Sequence, residues 1–120
     1  MLEPSDMVIY VDNLARSSQF YQDLLGISPE EYSPSFSLFK LANGMGLGLK
    51  EKHSVQPESE GANGYELAFT MNNQEQVDAL FLKWEQKGMQ FALKPTTVSF
   101  GYTFLALDPD NNRLRVLSPK

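Results

Sequence analysis

The sequence predicts an α+β fold made of two βαβββ modules. Three observations predict it. Two segments carry helix caps and an apolar stripe, a short alternating strand precedes each of them, and a run of turn-punctuated strands follows each. The pattern recurs at an offset of about 60 residues, from Val11 to Met71 and from Gly26 to Gly88. A chain of 120 residues is the size of one domain. The expected organisation is a single domain over 1–120, with module one at 5–50, a linker at 51–63 and module two at 64–118.

The helices are the firmest elements. The first follows Asp12-Asn13, whose side chains suit the unpaired amides of a first turn, and runs over Leu14–Leu25 to stop at Gly26. Leu14, Phe20, Tyr21, Leu24 and Leu25 supply its apolar side. The second follows Asn72-Asn73, with Gln76 placed to complete a capping box, and ends before Gly88. Val77, Leu80, Phe81 and Trp84 stand at i, i+3, i+4 and i+7, which is one face of a helix.

Strand 6–11 alternates Met7, Ile9 and Val11 against Asp6, Val8 and Tyr10. Strand 65–71 alternates Tyr65, Leu67, Phe69 and Met71 against Glu66, Ala68 and Thr70. The apolar set of each should pack on its helix. Further strands are expected at 27–32, 36–41 and 45–50, with Asn43-Gly44 as a two-residue hairpin turn, and at 90–93, 102–107 and 113–117, with a turn at 108–112. Residues 51–63 hold three acids, Pro57 and Gly61 without apolar periodicity and read as a linker.

Composition narrows the function. There is no cysteine, so neither disulfides nor thiolate metal ligation are available, and a reducing compartment suits the chain. The N-terminal residues lack a basic start and apolar run, and no apolar stretch is long enough to span a bilayer, so a cytoplasmic protein without a membrane partner is expected. A net charge of −5 disfavours a nucleic-acid partner. His53, the one histidine, falls in the linker and reads as a solvated loop residue, which leaves no nucleophile–histidine arrangement and no catalytic residue to nominate.

The run Val11-Asp12-Asn13-Leu14-Ala15-Arg16-Ser17-Ser18-Gln19-Phe20-Tyr21, then Leu25-Gly26, and the closing run from Phe104 through Asp108-Pro109-Asp110-Asn111-Asn112 to Val116 resemble the vicinal oxygen chelate superfamily of glyoxalases, extradiol dioxygenases and bleomycin-resistance proteins. The resemblance covers nearly the whole chain and implies that the two modules form a cup-shaped mixed sheet. In enzymes of that superfamily a divalent metal sits in the cup, held from the first and last strand of each module. The matching positions here are Asp6, Gly48, Glu66 and Arg115. Glycine offers no ligand and a guanidinium has no lone pair to donate, so no metal and no other cofactor is expected.

The cup face instead collects Asp6, Val8, Tyr10, Gly46, Gly48, Lys50, Glu66, Ala68, Thr70, Arg113, Arg115 and Leu117. Gly46 and Gly48 cost strand stability, which suggests either that something bulky approaches the backbone or that the strand bulges. Arg115 needs an anion, supplied by Glu66 or Asp6 or by a ligand. Tyr10, Phe100 and Tyr102 are the candidate pocket aromatics, so the expected ligand-binding set is Tyr10, Gly48, Glu66, Phe100, Tyr102 and Arg115. The resemblance is greatest to metal-free antibiotic-binding members of the bleomycin- or phenazine-resistance type, which implies a homodimer that sequesters a planar aromatic antibiotic or metabolite. The alternative is a metal-dependent lyase or dioxygenase whose ligands lie one or two residues out of this register, with Glu51 or His53 recruited.

Overall fold

The computed structural model of the chain describes residues 5–55 and 66–120. The elements run β1 (Asp6–Val11), α1 (Leu14–Leu25), β2 (Glu31–Tyr32), β3 (Phe36–Lys40), β4 (Gly46–Glu51), a 3-10 turn at Lys52–Ser54, then β5 (Glu66–Thr70), α2 (Gln74–Gln86), β6 (Gln90–Val98), β7 (Gly101–Leu107) and β8 (Arg113–Pro119). They fall into two compact units, Met1–Gly61 and Ala62–Lys120. Each unit is βαβββ, and the sheet orders β1-β4-β3-β2 and β5-β8-β7-β6 are the same topology. In each, the first strand pairs parallel with the last and the others pair antiparallel.

In the first unit, Asn13 Oδ1 accepts from the Arg16 amide at 3.0 Å and Gly26 closes α1 in the left-handed region at φ 71°. The residues α1 buries most deeply are Leu14, Ser17, Ser18 and Tyr21. Phe20, Leu24 and Leu25 are only half-buried. Ser18 and Ser37 of β3 share a buried hydroxyl contact of 2.9 Å, so neither polar group is stranded there. Ile9, Val11, Phe39, Leu47 and Leu49 complete this core.

In the second unit, Asn73 Oδ1 accepts from the Gln76 amide at 2.9 Å while Gln76 Oε1 accepts from the Asn72 amide at 2.9 Å, a capping box displaced by one residue. Val77 and Trp84 are buried against the sheet, and Gly88 follows the helix at φ 80°. The Phe104 ring lies 5.5 Å from both Phe81 and Trp84 and 5.8 Å from Phe91, all edge-on, which is the favourable geometry for aromatic packing.

Several strands differ from expectation. β2 is two residues long, because Pro29 has no amide to pair over 27–29. β6 extends to Val98 through Pro95, with register shifts between Phe91 and Leu93 and between Leu93 and Thr96. As the outermost strand of its sheet it accommodates a proline without losing the inner ladder. The hairpin after β3 is a three-residue loop, Ala42-Asn43-Gly44. The Leu41 amide bonds the Met45 carbonyl at 2.8 Å, the Gly44 amide bonds the Leu41 carbonyl at 3.0 Å, and Gly44 stands at φ 93°. Tyr65 and most of the predicted linker lie outside the described residues; at its start, Glu51 ends β4 and Lys52–Ser54 form the 3-10 turn.

Candidate functional site

Each sheet has one face under its helix and, among the described residues, one face without a helix, the open face. On the open face of the first sheet, register sets three rows across β1, β4 and β3: Asp6, Gly46 and Lys40; Val8, Gly48 and Leu38; Tyr10, Lys50 and Phe36. Val8 is 46% and Tyr10 41% exposed, which is uncommon for such side chains on a strand. The two glycines of β4 lie between them and β3 and are buried. β4 pairs without interruption on both sides, so the glycines do not mark a bulge.

What approaches the glycine backbone is the chain itself. A methyl group on Gly48 would meet the tip of the Phe36 ring at 2.9 Å and Val8 at 3.3 Å. A methyl group on Gly46 would collide with the Asp6 carboxylate. Asp6 also accepts from the Ser5 hydroxyl at 2.7 Å.

On the open face of the second sheet, Glu66, Ala68 and Thr70 of β5 pair with Arg113, Arg115 and Leu117 of β8. The Glu66/Arg113 and Ala68/Arg115 pairs repeat the Asp6/Gly46 and Val8/Gly48 pairs of the first sheet. Arg115 stands where the first unit has Gly48. Its Nε donates to Glu66 Oε1 at 2.8 Å and its Nη1 to the buried Thr103 hydroxyl at 3.1 Å. Thr103 in turn donates to the Val116 carbonyl at 2.7 Å, which fixes its lone pairs toward the guanidinium. The Phe100 ring lies 5.2 Å from the Arg115 guanidinium carbon, within cation–π range, and is itself 47% exposed. Phe100 owes this position to Gly101, which adopts φ 151° with its α-carbon against the Ser118 carbonyl, where a side chain would collide.

Tyr102 is not brought to this face. It shares the helix side of β7 with Phe104, and its hydroxyl donates to Asp78 Oδ1 of α2 at 2.6 Å. That hydrogen bond, then burial and the nearby charge, raises the phenol above its ordinary value. One predicted aromatic is thus an anchor between strand and helix. His53 lies in the 3-10 turn, exposed, with Nε2 3.9 Å from Asp12, which Lys52 approaches at 3.2 Å. Beside α1, an open depression of about 270 Å3 is bordered by Ala15, Ser18, Gln19, Gln22, Pro29 and Tyr32. It touches none of the predicted site residues.

The four positions that would hold a divalent ion do not fit one. Gly48 has no donor and is covered by Phe36, Arg115 is a cation, and Glu66 is engaged by Arg115. Asp6 is the one carboxylate of the four without a guanidinium partner among the described residues, and a lone carboxylate is below the usual ligand number. Among the described residues, no three His, Cys, Asp or Glu side chains are grouped to bind a metal.

Two site residues went unread in the sequence. Phe36 falls on the open face because the hairpin loop has three residues, and Thr103 because it pairs with Leu117. The second was readable from strand alternation alone.

Comparison with known proteins gives the same fold. The family model described as the glyoxalase/bleomycin resistance protein/dioxygenase superfamily matches residues 5–116. The phenazine antibiotic resistance protein EhpR of Enterobacter agglomerans is 31% identical over 118 residues, covering 96% of this chain and 91% of that protein. The solution NMR structure of protein ATC0852 from Agrobacterium tumefaciens is 47% identical with a TM-score of 0.87, covering 100% of this chain and 99% of that one. A glyoxalase-related enzyme from Fulvimarina pelagi matches at a TM-score of 0.83 and 17% identity, over 98% of this chain and 88% of that one, a likeness of fold alone. With its duplicated βαβββ units and a family match along nearly its whole length, the chain belongs to the glyoxalase/bleomycin resistance protein/dioxygenase superfamily.

Proposed function

We propose that this protein binds and sequesters a planar aromatic antibiotic or metabolite, without a metal and without chemical conversion of the ligand. The observation that carries this reading is the Arg115–Glu66 ion pair, which stands at two of the four positions where a metal-dependent relative carries ligands. A guanidinium there repels a divalent cation and occupies the adjacent carboxylate. The relationship to a protein named for phenazine resistance supports the ligand class. The proposed contacts are Glu66, Phe100 and Arg115 on the open face of the second unit, and Gly48, which Phe36 covers, drops out of the expected set. An exposed ring beside a few polar groups suits a flat, mainly apolar molecule.

The working form is a homodimer in the cytoplasm. Among the described residues no helix is long and apolar enough to cross a membrane. Isothermal titration against a panel of planar aromatic antibiotics, alongside metal analysis of the purified protein, tests the reading. Binding that persists after chelator treatment is expected. Absence of binding together with a stoichiometric bound metal overturns it.

A further inference from the structure

Arginine is rare in this chain. It occurs at Arg16, Arg113 and Arg115, and the last two share the open face of the second sheet. Against them the open-face residues of β5 and β8 include one acid, Glu66, so these two strands are positive there by one charge in a chain whose net charge is −5. Such a local excess has no structural purpose served by Glu66 alone, since a single carboxylate cannot neutralise two guanidiniums.

The bonding of Arg115 is also incomplete. Glu66 takes Nε through one oxygen and Thr103 takes Nη1, whereas Nη2 has no hydrogen-bond partner among the described residues. An arginine satisfied by a carboxylate alone typically binds it through two parallel N–H donors. Here the Glu66 contact, the Thr103 hydroxyl and the Phe100 ring hold the guanidinium plane from three directions and leave the two N–H donors of Nη2 unused among the described residues. The Arg115 side chain is 17% exposed, so the guanidinium is partly screened from water, where a charged hydrogen bond is stronger. Arg113 is exposed and has no ion-pair partner among the described residues. The arrangement is a positioned donor beside a spare positive charge.

We infer that the ligand is a planar aromatic molecule bearing a carboxylate, bound by the unused Nη2 group of Arg115 with Arg113 supplying the balancing charge. A carboxylate is the matching group because its trigonal oxygens accept in the plane of the guanidinium. The inference rests on the sequestration reading above and adds the chemical class of the ligand.

The test compares phenazine-1-carboxylate with phenazine-1-carboxamide, which differ in charge but hardly in shape, by fluorescence titration of the purified full-length protein. The carboxylate is expected to bind about tenfold more tightly, as one charge-assisted hydrogen bond implies. Arg115→Met is expected to abolish that preference by weakening carboxylate binding alone. Arg113→Gln, an exposed change that leaves the fold intact, is expected to lower carboxylate affinity about threefold and to flatten its salt dependence. Equal binding of both probes by the wild type overturns the carboxylate assignment and leaves sequestration standing. A preference that survives in both variants overturns the roles given to the arginines. Failure of both probes overturns this inference, and only failure of the whole aromatic panel together with a stoichiometric bound metal overturns the sequestration reading as well.

Discussion

Arg115 and Glu66 meet at 2.8 Å across two parallel strands, one pair out of register, so that the ion pair lies diagonally on the sheet. Its partners are 17% and 37% exposed, which places it between a surface pair and a buried one. Replacing Glu66 with Gln keeps the shape but not the charge, and should lower stability by about 1 kcal/mol, above the surface median and below the cost of breaking a buried pair. A double-mutant cycle with Arg115→Met in urea should return a coupling of similar size. A coupling near zero would mean the two groups are held by their strands and not by each other.

Gly48 presents a question of sign. Alanine in a strand is ordinarily favoured over glycine by roughly 0.5–1 kcal/mol. Here the added methyl meets the end of the Phe36 ring at 2.9 Å, and the ring must yield. Gly48→Ala is expected to destabilise by about 1 kcal/mol, the low end of overpacking, because a ring tip moves more easily than backbone. In a Phe36→Ala background the same change should be neutral or stabilising. Denaturation midpoints of the four proteins decide it.

Gly101 offers no such escape. At φ 151°, with the Ser118 carbonyl against it, a methyl group would strike backbone. Gly101→Ala should cost more than about 2 kcal/mol, and it should shift the Phe100 resonances by moving the turn that carries that ring.

The Tyr102 phenol is raised by its bond to Asp78, so the folded state holds this proton more tightly than the unfolded chain does. The stability that follows is fully present below the unfolded value, near 10.0, and is lost as pH climbs from there through the higher folded value. Melting temperature should therefore fall on the alkaline side more steeply for the wild type than for Tyr102→Phe. Equal slopes would remove Asp78 as a partner of consequence.

Phe104 tests the core. Its ring has three aromatic neighbours and no exposure, so Phe104→Ala should cost about 3–5 kcal/mol by calorimetry or urea titration.

The helices and the repeat were legible in the sequence because caps and apolar spacing are local signals: Asn13, Gly26, Asn73 and Gly88 all stand at helix ends as read. The same counting aligned Asp6 with Glu66 and Gly48 with Arg115, as the strand pairings do. What failed was set by single-residue geometry. A two-residue loop at Asn43-Gly44 would have set Phe39 beside Gly48, whereas the three-residue loop sets Leu38 there and turns Phe36 onto the open face. The second unit's loop has the same form, with the Asp108 amide bonded to the Asn112 carbonyl and Asn111 at φ 63° where the first unit has Gly44. That Tyr102 turns toward α2 is hidden for a related reason, since nothing local in a strand tells which side a helix will cover. Its parity with Phe104, the most enclosed ring of that strand, held the answer.

The outer strand β6 has a bearing on how the protein behaves when concentrated. A straight strand at the margin of a sheet offers an unbroken line of amides and carbonyls on which a foreign strand can dock. Pro95 removes a donor from that line and the two register shifts around Leu93 bend what remains. Copies of this chain are thereby hindered from joining along that margin into fibrils, and substituting Pro95 with a β-branched residue would give up part of that protection.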